Sequence, residues 1–86
     1  SGDSMMDVGI NDGDILVVDR SIEPKNRDIV IAILEGNLTV KRLLFKMNGL
    51  VVLKSENTAY KDIKIPESAD LEIWGVVTSV IHQFVK

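Results

Sequence analysis

Ile29-Val30-Ile31-Ala32-Ile33-Leu34, then Glu35-Gly36-Asn37, then Leu38-Thr39-Val40-Lys41-Arg42-Leu43-Leu44: the reading of this stretch decides the fold. The first run is unbroken and apolar, rich in β-branched residues, and too short for a buried helix. It suits a strand covered on both faces. Glu35-Gly36-Asn37 is turn-forming, so the second run reads as the returning arm of a hairpin. On the N-terminal side, Ile15-Leu16-Val17-Val18 follows the turn cluster Asn11-Asp12-Gly13-Asp14. On the C-terminal side, Asn48-Gly49 is the strongest short hairpin signal in the chain and leads into Leu50-Val51-Val52-Leu53. Ile63-Lys64-Ile65 is short and stops at Pro66, and Leu71 to Val85 reads as a long closing β segment with Gly75 as a bulge or close-approach point. No stretch of eleven or more residues carries helical periodicity, although Met5 to Ile10 has room for a single turn. The expectation is a mainly β protein, a small, partly open β-barrel or sandwich formed as one domain over residues 1–86.

Composition narrows the chemistry. The chain has 86 residues, no cysteine, one histidine and a formal charge of −3. A chain this short buries only roughly 60–65% of its unfolded surface, so its core must be efficient or shared with a partner. The lack of cysteine removes disulfides, thiolate nucleophiles and sulfur-ligated zinc. His82 alone cannot build a multi-histidine metal site, and no metal or cofactor is expected. The acidic balance argues against an autonomous nucleic-acid surface. No apolar run reaches the ~18 residues of a membrane span. The spacings of a P-loop, a GxGxxG fingerprint, HExxH, an EF-hand, GxSxG and SxxK are all absent.

One catalytic design needs neither histidine nor cysteine: a serine hydroxyl activated by a neutral lysine. At its ordinary pKa of about 10.4 a lysine is charged at pH 7 and accepts no proton. Bringing it to about 7 takes some 3.4 units, roughly 4.6 kcal/mol, which burial in apolar surroundings can supply. Of the seven lysines, Lys25, Lys61, Lys64 and Lys86 have polar, turn-like or terminal surroundings, and Lys46 and Lys54 lie at hairpin ends. Lys41 has the most apolar flanks. Alternation puts it with Thr39 and Leu43 on one face, and Arg42 with Val40 and Leu44 on the other. Periodicity does not choose between Lys41 and Arg42, but chemistry does, because a guanidinium does not deprotonate in proteins. The pattern leaves a second reading of Lys41 open, as a solvent-facing residue whose stem covers apolar surface. Ser4, one of six serines, is equally readable as a loop residue.

Gly2-Asp3-Ser4-Met5 with Asp12-Gly13-Asp14-Ile15-Leu16-Val17-Val18 resembles the catalytic-serine region of the LexA/UmuD self-cleaving peptidases. Thr39-Val40-Lys41-Arg42-Leu43 resembles the strand that carries that family's lysine, and the interval of 41 − 4 = 37 residues matches. Glu56-Asn57-Thr58-Ala59-Tyr60 and Trp74-Gly75-Val76-Val77 continue the likeness over nearly the whole chain. Within the family, Arg27-Asp28-Ile29-Val30-Ile31, where the family pattern has Gly-Asp-Ile-Val-Ile, and Gly75-Val76-Val77 look closer to UmuD than to LexA. The resemblance implies a signal-peptidase-like β fold, with Ser4 as nucleophile, Lys41 as its base and backbone N–H groups near Asp3 and Ser4 as oxyanion donors. It also implies a cytoplasmic bacterial protein of the SOS response that cleaves its own N-terminal arm when stimulated by a RecA filament on single-stranded DNA. The trimmed homodimer then joins a UmuC-type translesion polymerase. The arm and its scissile bond are expected to lie outside this chain, which begins three residues before Ser4. The alternative within the family is the dimerisation and cleavage domain of a LexA-like or phage-type repressor. Trp74, Tyr60 and Phe45 are expected to pack in a core or interface, His82 to be an ordinary strand residue, and the closing strand to contribute to a dimer.

Overall fold

The computed structural model describes residues 10–57 and 59–85. Ser4, and all but the last residue of the turn expected over Met5 to Ile10, lie outside them. Among the described residues six strands form: β1 (Ile15–Asp19), β2 (Ile29–Leu34), β3 (Asn37–Phe45), β4 (Val51–Lys54), β5 (Ile63–Ile65) and β6 (Leu71–Ile81). They make one antiparallel sheet in the order β1-β6-β2-β3-β4-β5. The sheet is open, with β1 and β5 at its edges. Among the described residues no helix is long and apolar enough to cross a membrane.

Turn chemistry sets the registers. Leu34 opposes Asn37, so β2 and β3 are joined by the two-residue loop Glu35-Gly36, with φ of 48° and 80°. Two left-handed residues are what a type I′ turn demands. The β3–β4 loop is one residue longer. Lys46 N–H donates to Leu50 O, Gly49 N–H donates to Lys46 O, and Gly49 has φ of 81°. This is a type I turn closed by a left-handed glycine, the three-residue hairpin with a bulge.

The alternation of each strand assembles the core on one face. Val30, Ala32, Leu43, Leu53 and Val76 are its buried centre, with Leu34, Val51, Ile63, Ile65, Leu71 and Ile73 packed against them. The cross-strand pairs Leu43–Leu53, Val30–Val76, Ala32–Ile73 and Leu53–Ile63 all belong to this face. β6 stays in step with its neighbours by two irregularities. One falls where Ile31 opposes Gly75 and Ala32 opposes Ile73, so that Trp74 is the extra residue. A Cβ on Gly75 would run into Val18 Cγ1, so Gly75 is both bulge and close-approach point. The other lies opposite Val17 and Val18, where Thr78 is the extra residue and its hydroxyl donates to Val17 O.

Three expectations need correction. β6 ends at Ile81, short of Val85. His82 is therefore not a strand residue, and its Nδ1 lies 2.6 Å from Asp14 Oδ1, tying the end of β6 to the turn before β1. Of the core or interface expected for Trp74, Tyr60 and Phe45, the core is corrected, since all three are partly exposed. The Trp74 ring carries the Arg20 guanidinium at 4.2 Å, while Arg20 Nε donates to Trp74 O.

Candidate active site

Lys41 lies in the middle of β3, and its side chain is on the core face. It opposes Val30 and follows the same alternation as Leu43. It is 7% exposed, which makes it one of two buried polar residues among those described. The other is Ser55, just past the end of β4. A strand residue lands here because β2 and β3 are both covered on the core face, and the pleat gives position 41 no route outward.

Burial is the cause that lowers the Lys41 pKa from its ordinary 10.5, since the ammonium form loses hydration in apolar surroundings. No described carboxylate forms an ion pair with Lys41 to oppose that shift. The neighbouring cation is in the opposite situation. Arg42 faces the other side, where Nε donates to Glu56 Oε1 and Nη1 donates to Arg27 O at 2.6 Å. Of two adjacent basic residues, one pairs with a carboxylate and the other is buried, with its pKa lowered. The strand alternation separates them.

The β3–β4 register decides what stands opposite Lys41. Arg42–Lys54 is the last pair of the ladder, and the same register continued one step past the end of β4 would set Lys41 opposite Ser55. Glu56 then falls on the Arg42 face as a diagonal neighbour, the position at which side chains of opposite charge meet. A two-residue loop at Asn48-Gly49 would shift the ladder by one and bring Glu56 opposite Lys41. A carboxylate there would hold the lysine charged. Among the described residues, Ser55 Oγ is the buried side-chain polar atom without a hydrogen-bond partner. Burying a hydroxyl in that state costs roughly 1–3 kcal/mol. Sequence reading overlooked Ser55. The available signal was the loop length, which only the geometry of the turn resolves.

Asp14 and His82 make a separate polar pair at the other end of the sheet. The Asp14 carboxyl is held below the ordinary carboxylate range by the Asn11 N–H, donated to Oδ2 at 2.8 Å, and then by His82. This pair lies on the β1–β6 side of the sheet, whereas Lys41 is in β3. Among the described residues no group of three or more His, Asp or Glu side chains is placed to hold a metal ion.

An all-β sheet with a buried lysine on its core face, unpaired among the described residues, fits a hydrolase that uses an amine as its base. The chain belongs to the Peptidase S24-like family, which it matches over residues 1–78. It is similar to protein ImpA of Salmonella typhimurium, 43% identical over 83 residues that cover 96% of this chain and 55% of ImpA. It is also similar to protein SamA of Salmonella typhimurium strain LT2, 45% identical over 82 residues (95% of this chain, 55% of SamA). The LexA repressor of Oleidesulfovibrio alaskensis is 46% identical over 76 residues, 88% of this chain and 36% of the repressor. The chain thus spans about half the length of ImpA and SamA and about a third of that repressor.

Proposed function

We propose that this chain is the catalytic domain of a UmuD-type SOS mutagenesis protein, a serine endopeptidase in which Ser4 is the nucleophile and Lys41 the general base. The observation that carries the reading is the buried Lys41, whose basicity falls through desolvation and which no described carboxylate pairs with. Neutral Lys41 Nζ takes the Ser4 Oγ proton as Ser4 Oγ bonds to the scissile carbonyl carbon. The resulting tetrahedral intermediate collapses when Lys41 returns that proton to the leaving amine. Water, deprotonated by the Lys41 amine, then releases the acyl group from Ser4, whose oxygen takes that proton back. The substrate is an N-terminal arm of the parent protein, cleaved when a RecA filament on single-stranded DNA engages it. The processed chain serves as a homodimeric accessory subunit of a UmuC-type translesion polymerase in the bacterial cytoplasm, with no direct contact to nucleic acid.

The homodimer has a candidate surface at the far end of the β1–β6 pair. Ile15, Val17, Val80 and Ile81 are exposed there, followed by Phe84 and Val85. Exposed apolar residues gathered on one strand pair suit a second copy.

The likeness to a LexA repressor supports a second reading, the cleavage and dimerisation domain of a LexA-like or phage-type repressor. The sequence upstream of Ser1 in the parent gene separates the two. A helix-turn-helix domain of some sixty or more residues marks a repressor, and a short arm marks the UmuD type.

The catalytic assignment is tested by supplying an arm-bearing copy in trans at mildly alkaline pH. Lys41→Ala is expected to slow cleavage about 10²–10⁴-fold, the range for loss of a general base. Cleavage at the unmutated rate would show that the base is another group.

A further inference from the structure

Charge is divided unevenly across the sheet. Residues 25–65, which hold β2 to β5, carry eight lysines and arginines against four acids, and the rest of the chain carries two against nine. The basic part ends at a sheet edge, because β5 pairs with β4 alone among the described strands. One side of β5 therefore presents backbone N–H and C=O groups to which no described strand is paired.

Register decides which side chains stand beside that edge. Val52 opposes both Leu44 and Lys64, and Arg42 opposes Lys54, so Arg42, Lys54 and Lys64 share the face turned away from the core. Lys54 and Lys64 are diagonal neighbours on adjacent strands, close enough for long side chains of like charge to interact. Lys61, just before β5, is exposed. The ion pairs among the described residues are Arg42–Glu56 and His82–Asp14, so none of these three lysines is within ion-pair distance of a described carboxylate. Asp62 and Glu67, the acids that flank β5 in sequence, are both exposed. On the core face the same edge carries Ile63 and Ile65, which are half-buried.

We propose that the open side of β5 docks an extended, acidic segment of a partner protein, which adds to the sheet as a further strand. A lysine at a strand edge ordinarily guards against pairing with another copy, since two such edges repel. The same charge admits a strand of opposite sign. Alternation then specifies the segment: carboxylates on the side of Lys54 and Lys64, apolar residues on the side of Ile63 and Ile65. Nucleic acid fits less well on two counts. It has no ladder of N–H and C=O groups to match the edge, and the nine carboxylates outside residues 25–65 repel a polyanion. The proposal is independent of the dyad and holds whether or not Lys41 is the base.

The probe is a short fluorescent peptide in which glutamate alternates with valine, titrated with the chain and read by anisotropy. The same peptide with lysine for glutamate, and a thymidine oligonucleotide, serve as comparisons. The acidic peptide is expected to bind, to slow amide exchange in residues 63–65, and to lose affinity as salt is raised. Lys54→Glu and Lys64→Glu lie outside the core and should fold, which thermal melts check. Each is expected to weaken binding about fivefold or more, because it sets like charges face to face. Lys25→Glu changes the net charge equally, away from β5, and should leave binding nearly unchanged. The Lys54→Glu/Lys64→Glu double variant should instead prefer the lysine peptide. No binding of the acidic peptide, equal weakening by Lys25→Glu and Lys64→Glu, or protection outside β5 would overturn the proposal. So would tighter binding of the oligonucleotide at the same residues, which would make this face a nucleic-acid surface.

Discussion

At the scale of single residues, Lys41 sets function against stability. Burial makes the charged form of the lysine less favourable in the folded chain, which is what its proposed role as base requires. Its pKa is lower folded than unfolded, so between the two values the unfolded chain binds more protons, and stability rises with pH across that window. Lys41→Met keeps the stem's volume and removes the titration. At pH 7 the variant is expected to melt higher than the unmutated chain. A gain of about 1 kcal/mol would move Tm by roughly 4–8 °C in a domain of this size. The advantage should be complete below the folded pKa and shrink towards zero as pH rises past about 10.4, above which both states of the unmutated chain become neutral. Paired melts over that range check the sign, and the other titrating groups cancel in the difference. A constant offset would mean that the lysine is not desolvated.

At the scale of elements, turns and bulges place the site. Arg27 has φ of 78°, in the bulge where its N–H donates to Leu43 O and the Leu43 N–H donates to Asp28 O. A left-handed residue at this kind of bulge is ordinarily glycine, and the family pattern has glycine there. An L side chain in that region costs about 1–2 kcal/mol, against about 0.5–1 kcal/mol for glycine's unfolded freedom. Arg27→Gly is therefore expected to raise stability by about 0.5–1 kcal/mol. Gly75→Ala should do the reverse. The added Cβ meets Val18, a stiff β-branched side chain, and overpacking of that kind costs about 1–3 kcal/mol. Thermal melts of the two variants should shift in opposite directions.

The strands themselves were legible in the sequence because short β-branched runs alternate with strong turn signals. Ile29–Leu34 and Ile63–Ile65 form over the residues expected, and the other strands begin or end within a few residues of theirs. Gly75 was legible for the same reason. The face of Lys41 was not, since alternation separates Lys41 from Arg42 without saying which side is buried. Ser55 was hidden one level deeper. Its place opposite Lys41 depends on a three-residue rather than a two-residue loop at Met47-Asn48-Gly49, a difference of backbone geometry with the same Asn-Gly signal. The His82–Asp14 pair joins residues 68 apart in the chain, a contact no local pattern encodes.

At the scale of the whole molecule, the open sheet does two things with one core. Its buried face gives Lys41 the apolar surroundings that lower its pKa, while the end of β1 and β6 leaves apolar residues exposed, the surface proposed above for a second copy. The family resemblance and the Peptidase S24-like match give the chemistry that a buried amine could serve. The central claim is that Lys41 is poised to be neutral. It is tested most directly by following the side-chain nitrogen and Cε resonances of all seven lysines through a pH titration of this chain. Lys41 is predicted to lose its proton at distinctly lower pH than the exposed lysines. A Lys41 midpoint at or above the ordinary value of about 10.4 would contradict its role as base.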